Sequence, residues 1–469
     1  MRLSYRNQDR QSNHDLSEGD SNQSFFRRQW DADQINAETR QWLAGDEQYF
    51  LRQTLSTPCL NVLASCQGST ITDIQGRHYL DFHGNSAHQV GFGNPVVIAA
   101  IIEQLKTLSF CTRRYTNIPA ISLARKLASI APGNLNKVLF APGGTTAVGM
   151  AMKLARVATG RFKTISMWGA FHGASLDTIS ISGESLFRKN IGPLLPGTEH
   201  VPPADPYHCL WDPEGRCETC GLKCAGYVAY VLEKEKDISA VIAEPIRSTS
   251  VNPPPAGYWK EIRRACDRHG ALLIFDETAI GLGRTGRMFA SERYDVEPDI
   301  ITLGKGLGGG IFPLAAMIVR EDLDIAADTA LGHYTHEKNP VACAAGLATL
   351  DVIEDQGLVS HAEKLGQYAL ERLHALMTTH PLIGDVRGQG LLFGAELVRN
   401  RKSKIPAEME ADQIMYACLK RGLSFKVSQG NILTLTPPLT VLRSELDQAI
   451  DTLDEALNEV ENEAGQQWS

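Results

Sequence analysis

The chain has 469 residues, of which 43% are apolar and 21% are charged, and its formal net charge is −8. This size and composition predict a soluble globular protein of two or three domains. Lysine and arginine are dispersed without a basic block, which excludes an extended nucleic-acid or anionic-membrane surface. No apolar run is long enough to span a membrane and the N-terminal stretch lacks the apolar core of a signal peptide, so we expect a cytoplasmic protein.

The first 84 residues of the sequence predict two segments. Residues 1–30 are polar and are expected to be flexible. From residue 31, the stretch "DADQINAETRQWLAGDEQYFLRQTL" has helical spacing until Pro58 interrupts it. We predict that residues 31–84 form the N-terminal part of a small domain.

From about residue 70, short apolar runs alternate with helix-length stretches. The runs include "KVLFAPGG", "KTISM", "AVIAEP", "ALLIFDE" and "DIITLGK". Apolar strands separated by helices indicate a mainly parallel sheet covered on both faces, which is an α/β architecture. We therefore predict a large domain over residues 85–338. After Asn339-Pro340 the chain becomes rich in helices, and we predict a smaller α+β domain over residues 339–469.

One motif resembles a dinucleotide-binding loop. "GLGRTG", Gly281 to Gly286, fits the pattern GxGxxG and follows the strand "ALLIFDE". The dinucleotide fold also needs a helix that begins on these glycines and an acidic residue at the end of the next strand. Neither is present, so we reject dinucleotide binding by this motif.

The predicted strands end in residues that carry chemistry. Glu244, Asp276 and Lys305 follow three apolar runs, and ligands of open α/β sheets bind outside the carboxyl ends of the strands. Pyridoxal phosphate (PLP) forms a Schiff base with a lysine, and a carboxylate keeps its pyridine nitrogen protonated. Five glycines around Lys305 would allow close approach of the backbone to such a cofactor. A solvated loop lysine is the alternative for Lys305 taken alone.

Four motifs in this order resemble the class III aminotransferase family of fold-type I PLP enzymes. They are "AEP", "FDETAIGLGRTG", "DIITLGKGLGGG" and "RGQGLLFGAEL". The resemblance runs from about residue 70 to about residue 455. It implies that Lys305 is the Schiff-base lysine and that Asp276 is the partner of the pyridine nitrogen, with Glu244 as a further candidate cofactor residue. It also implies that "GLGRTG" is a structural turn and that Arg284 is a buried ion-pair partner instead of a substrate ligand.

The resemblance implies further cofactor contacts. Gly144 and Thr145 would bind the phosphate at a helix N-terminus, where free N–H groups favour an anion. Phe171 would stack on the ring, followed by His172, and Thr335 would reach the phosphate of the neighbouring subunit, which implies a homodimer. The alternatives are an ordinary helix cap at Gly144-Thr145, a core position for Phe171 and a packed histidine at His172.

Departures from the family pattern bear on the reaction. Family members that use 2-oxoglutarate carry an arginine at the position of Thr434, and a threonine cannot form a bidentate pair with a carboxylate. A branch of the family instead eliminates from amino alcohols that bear phosphate or phosphonate. The resemblance to that branch implies a PLP-dependent ammonia-lyase that converts a hydroxylated 2-aminoethylphosphonate to phosphonoacetaldehyde and ammonia. An ω-aminotransferase that passes the amino group of an amine to pyruvate is the alternative.

Extra arginines fit a dianionic substrate. Arg113, Arg114 and Arg247 are candidate phosphonate ligands, because the guanidinium fork suits tetrahedral oxyanions. Ordinary surface positions are the alternative for each.

Four of the ten cysteines are close in sequence. Cys209, Cys217, Cys220 and Cys224 include one C-x2-C pair and are candidate ligands of a structural zinc ion, although the other spacings are not those of two zinc knuckles. Reduced, unligated cysteines are the alternative. A non-catalytic relative or a zinc-dependent interaction module would each leave Lys305 and Asp276 unexplained.

Overall fold

The computed structural model describes residues 23–53, 59–212 and 214–467. The strands are β1 Leu63–Gln67, β2 Thr70–Asp73, β3 His78–Asp81, β4 Leu135–Ala141, β5 Lys163–Met167, β6 Thr198–Val201, β7 Ile238–Ala243, β8 Leu272–Asp276, β9 Ile300–Leu303, β10 Ala315–Arg320, β11 Ile383–Gln389, β12 Leu392–Asn400, β13 Ile405–Pro406, β14 Leu423–Ser424, β15 Lys426–Ser428 and β16 Ile432–Leu435.

The α-helices alternate with these strands in the middle of the chain and dominate its last part. They are α1 Phe25–Gln34, α2 Ala37–Tyr49, α3 Pro95–Thr107, α4 Ile118–Ile130, α5 Gly144–Thr159, α6 Leu176–Ile181, α7 Ser185–Arg188, α8 Cys217–Cys220, α9 Lys223–Lys234, α10 Tyr258–His269, α11 Pro340–Asp355, α12 Leu358–Thr379, α13 Glu408–Lys420 and α14 Arg443–Gln467.

The central sheet has the strand order β4-β10-β9-β8-β7-β5-β6. Strands β5, β6, β7, β8 and β9 are parallel to one another, whereas β10 is antiparallel to both β4 and β9. Every residue of β7, β8 and β9 is buried, as expected for strands covered on both faces by helices. This confirms the predicted α/β class with a mainly parallel sheet.

Two smaller sheets flank this core. The first has the order β1-β2-β3-β14 and joins residues before position 84 to a C-terminal strand, since β14 pairs with β3 in parallel. The second has the order β11-β12-β16-β15, with β13 paired to β12. The N-terminal and C-terminal parts therefore share a sheet, which agrees with an α+β region, and the predicted domain boundaries stay a prediction.

Helix starts follow their capping residues. Asn339 caps α11, because its side chain accepts a hydrogen bond from the Ala342 N–H at 2.9 Å, and Pro340 occupies the first turn. Residues 25–30 of the segment predicted to be flexible lie in α1, where Trp30 is buried, so this part is helical. Residues 1–22 lie outside the described residues. In the described ranges, none of the helices combines the length and apolar character needed to cross a membrane.

Candidate active site

Three neighbouring strands bring the predicted site residues to one edge of the central sheet. Glu244 follows β7, Asp276 is the last residue of β8, and Lys305 comes two residues after β9. Since β7, β8 and β9 are parallel neighbours, their carboxyl ends lie side by side. The sequence prediction that these three residues meet is consistent with this topology.

Asp276 is 4% exposed and is held as a carboxylate. Its Oδ2 lies 2.8 Å from Nδ1 of His172, and its Oδ1 accepts hydrogen bonds from the Thr278 N–H at 3.1 Å and the Thr302 hydroxyl at 3.0 Å. Burial alone would raise the pKa of Asp276, but the contacts with His172 and Thr278 outweigh burial and lower it. A buried carboxylate of this kind can keep a neighbouring ring nitrogen protonated.

His172 links this carboxylate to the segment after β5. The histidine is 3% exposed, its main-chain N–H donates to the Ser182 hydroxyl at 2.9 Å, and its Nε2 has no hydrogen-bond partner in the part of the chain that the structure describes. The preceding residue, Phe171, packs on Phe187 with ring centroids 4.2 Å apart. The histidine is therefore an orienting neighbour of Asp276 and not an isolated core residue.

Lys305 has the backbone and the environment of a reactive lysine. Its φ is 43°, a left-handed value that costs free energy for a residue with a side chain. The side chain is reachable by solvent, yet the surrounding protein lowers its pKa by desolvation. Glu244 and Asp276 oppose this decrease, whereas the positive charges of Lys426 and Arg284 add to it. At a given pH, a larger fraction of Lys305 is therefore the neutral amine than for an ordinary lysine.

The glycines around the lysine are required by close packing. A Cβ on Gly304 would lie 2.9 Å from Cγ2 of Thr278, and one on Gly306 would lie 1.8 Å from Oε1 of Gln89. Gly309 has φ +69° and would place a Cβ 2.7 Å from Val97. The expected close approach and positive φ are both present in this turn.

Gly144 and Thr145 form the first turn of α5, which begins beside the lysine turn. The N-cap residue Gly143 offers no side chain to the first N–H groups, and these groups have no partner within a helix. A Cβ on Gly144 would lie 2.8 Å from Cγ2 of Thr278, whose buried hydroxyl is without a hydrogen-bond partner among the described residues. This arrangement fits the phosphate of PLP, because it combines free donors with a narrow backbone cradle.

Glu244 is fixed by the loop that follows it. Its Oε2 accepts hydrogen bonds from the Ser248 N–H at 2.9 Å and the Ser248 hydroxyl at 2.7 Å. The same loop carries Arg247, which is 9% exposed and lies within 3.9 Å of Glu184. Of the three candidate arginines, Arg247 is thus the one on the strand-end loop of the site.

Arg113 and Arg114 lie elsewhere in the chain and are exposed. Arg113 contacts the His333 ring, so its segment packs beside the turn that holds Thr335, which is also exposed. This segment is separate from the loop after β7 that carries Arg247. The roles of Arg113 and Arg114 as phosphonate ligands, and the role of Thr335 at a neighbouring subunit, stay predictions.

The "GLGRTG" segment is a series of turns after β8, as predicted. The prediction that Arg284 forms a buried ion pair is wrong. Arg284 is fully buried and donates to the carbonyl oxygens of Leu391, at 3.1 Å, and Pro437, and no acidic partner is found among the described residues. Desolvation lowers its pKa to about 9.

Thr434 is 6% exposed and lies on β16. Its hydroxyl donates to the main-chain carbonyl of Thr249 at 2.9 Å. Because Thr249 lies in the same loop as Arg247, this hydrogen bond joins β16 to that loop.

The structure adds charged residues that sequence reasoning missed. Glu184 lies beside Arg247, and the charge of Lys426 acts on both Glu184 and Lys305. Lys426 could have been predicted from the sequence "KVSQGNILTL", which forms a β-hairpin. The register of this hairpin places Lys426 opposite Thr434.

The cysteine cluster lines one small cavity. All four of its cysteines take part, and burial raises the pKa of Cys224 to about 11. Within the described residues no group of three or more histidine, cysteine or acidic side chains is arranged to hold a metal ion. The predicted zinc site at Cys209, Cys217, Cys220 and Cys224 is therefore unsupported.

The chain belongs to the class III aminotransferases, because residues 53–457 match the family described as aminotransferase class-III. Its fold is that of the fold-type I PLP enzymes, and the residues at the strand ends fit PLP as the cofactor.

Individual relatives extend this assignment. The chain is 45% identical over 459 residues to the (R)-1-hydroxy-2-aminoethylphosphonate ammonia-lyase of Vibrio splendidus (strain 12B01), covering 95% of this chain and 96% of the relative. An aminotransferase structure from Bacillus anthracis is similar with a TM-score of 0.84 and 33% identity, covering 91% of this chain and 100% of that one. A PLP-bound amine transaminase from an uncultivated Pseudomonas species has a TM-score of 0.81 at 32% identity, covering 85% and 94%.

Proposed function

We propose that this protein is a PLP-dependent ammonia-lyase that acts on (R)-1-hydroxy-2-aminoethylphosphonate. The observation that carries the choice of reaction is the 45% identity with the Vibrio splendidus lyase along nearly the whole length of both chains. The threonine at position 434 supports the same choice, because it supplies no cation for the carboxylate of an oxoacid.

Bound PLP supplies an electron sink for the negative charge that develops on the carbon bearing nitrogen. Lys305 is the residue that would hold the cofactor and then move the proton from that carbon. The lowered pKa of Lys305 favours this proton transfer, since a neutral amine can accept a proton. Asp276 would keep a positive charge on the ring nitrogen, and His172 orients Asp276 through the 2.8 Å contact.

The remaining contacts position the cofactor. The first turn of α5, at Gly144 and Thr145, would bind the phosphate through N–H groups. Phe171 would cover one face of the ring, and Glu244 would balance the charge of Lys305. Thr335 is exposed, and its family counterpart reaches the phosphate of a second subunit, so we include a homodimer with shared sites in the proposal.

The reaction balances without a second substrate. A proton leaves carbon 2, which bears nitrogen, and hydroxide leaves carbon 1, which bears phosphorus. The enamine that is released takes up water, and phosphonoacetaldehyde and ammonia result. The water lost in the first stage is regained in the second, so no oxoacid is consumed.

A pair of substrates tests the proposal. The holoenzyme is incubated with (R)-1-hydroxy-2-aminoethylphosphonate or with 2-aminoethylphosphonate, in both cases without an oxoacid, and ammonia and aldehyde are measured. We expect both products from the first compound alone, because the second has no leaving group on carbon 1. Equal ammonia release from the two compounds, or release from neither until pyruvate is added, would contradict a lyase and would favour the ω-aminotransferase alternative.

A further inference from the structure

Around Arg247, buried polar atoms lack hydrogen-bond partners among the described residues. Nη2 of Arg247 lies 3.9 Å from Oε2 of Glu184, which is too far for a hydrogen bond. Among the described residues, Nε of Arg247 and Oε2 of Glu184 are buried and have no hydrogen-bond partner. In the orientation that satisfies both groups, the amide oxygen of Gln429 accepts from Nη1 and Nη2 at 3.1 and 3.0 Å. The guanidinium still has donors left for another acceptor.

Lys426 brings a second positive charge to the same place. It is half-buried on β15, and its positive charge opposes the burial that raises the pKa of Glu184 and adds to the burial that lowers the pKa of Lys305. Burial still raises the pKa of Glu184, against the effects of Arg247 and Lys426. Lys426 therefore lies within electrostatic reach of the acid beside Arg247 and of the lysine at the strand ends.

Strand register explains how these residues converge. Lys426 on β15 is directly opposite Thr434 on β16, so the two side chains lie on the same face of the hairpin. The Thr434 hydroxyl donates to the Thr249 carbonyl at 2.9 Å, which joins this hairpin to the loop of Arg247. Position 434 has no positive charge itself, and a lysine stands across from it on the neighbouring strand.

We propose that Arg247 and Lys426 together bind the phosphonate dianion of the substrate, an inference that rests on the function proposed above. Arg247 supplies a fork of donors and Lys426 a point charge, a combination suited to a tetrahedral group with two negative charges. Arg247 follows β7 and Lys305 follows β9, at the same edge of the central sheet, so an amine held at Lys305 would place its phosphonate beside this pair.

Equilibrium binding tests this inference without any turnover. The probes are 2-aminoethylphosphonate and 2-aminoethanol, an amine without phosphonate, and binding to the holoenzyme is followed by the visible absorbance of PLP. We expect Lys426→Gln and Arg247→Gln each to weaken binding of 2-aminoethylphosphonate by about 10-fold to 100-fold, as for loss of a hydrogen bond to a charged group. Binding of 2-aminoethanol should stay within about 2-fold of the parent.

Matched variants separate this role from a structural one. Lys426→Arg keeps the charge and should bind the phosphonate within about 3-fold of the parent. Lys420→Gln, which removes an exposed lysine at the end of α13, should change neither probe. Unchanged phosphonate binding in Lys426→Gln, or an equal loss for both probes, would overturn the inference. Because no elimination is needed, a failure of the lyase reaction itself would be seen separately, in the product assay.

Discussion

Replacement of Asp276 by asparagine removes one charge at nearly constant shape. The side chain is buried, and its oxygens accept from Thr278 and Thr302 and lie 2.8 Å from His172, so the amide can keep most of these contacts. What is lost is the carboxylate that, in the proposed function, would face the protonated ring nitrogen. Breaking a buried charge pair costs about 3–5 kcal/mol, which is about 10³-fold in rate at ~1.4 kcal/mol per decade. We therefore expect Asp276→Asn to lower kcat/KM for ammonia release by about 10³-fold.

Thr302→Val is the matched control for this variant. It removes the hydroxyl that donates to Oδ1 of Asp276 at 3.0 Å, but it leaves the charge in place. We expect a decrease of about 10-fold or less, because one neutral donor is lost and the other contacts stay. Both variants should retain the visible absorbance of bound PLP. Asp276→Asn within about 10-fold of the parent, or Thr302→Val as slow as Asp276→Asn, would refute the role given to the charge.

Two further predictions concern Lys305 and Asp412. Lys305→Ala should lose turnover and the visible absorbance of lysine-bound PLP together, since no other described lysine follows a strand end beside Asp276; a variant that keeps a substantial fraction of the parent rate would contradict this. Asp412 is 4% exposed, and burial raises its pKa to about 7, whereas an unfolded aspartate has a pKa of about 3.9. Between these values the folded protein holds a proton that the unfolded chain releases, so the free energy of unfolding falls as the pH rises from about 4 to about 7. Asp412→Asn cannot ionise, so in urea unfolding its free energy of unfolding relative to the parent should increase from about pH 5 to about pH 8; the same difference at both pH values would show that ionisation of Asp412 is not the cause.

The meeting of Asp276 and Lys305 at one edge of the sheet was predictable because it depends on local sequence patterns. Asp276 and Lys305 each follow an apolar strand, and parallel strands bring their carboxyl ends to one edge whatever the details of packing. Asn339 likewise fixes the start of α11, because its side chain accepts a hydrogen bond from the N–H of Ala342. These features need no knowledge of distant contacts.

Residues whose role depends on distant contacts were harder to predict. Arg284 donates to two main-chain carbonyls that follow it by more than 100 residues, and the sequence does not reveal which acceptors a buried arginine meets. Glu184 and Lys426 approach Arg247 from separate segments, and only the register of a short hairpin connects Lys426 with position 434. Asp276 and His172 were each predicted from the sequence as site residues, but the 2.8 Å contact by which His172 orients Asp276 was not.

The most direct measurement is the number of ammonia molecules released per active site when no oxoacid is present. A lyase leaves its cofactor unchanged after each cycle, so we predict many equivalents of ammonia from (R)-1-hydroxy-2-aminoethylphosphonate, with an equal amount of phosphonoacetaldehyde. An enzyme that stops after one equivalent of amino-group transfer, and resumes only when pyruvate is added, would contradict the account.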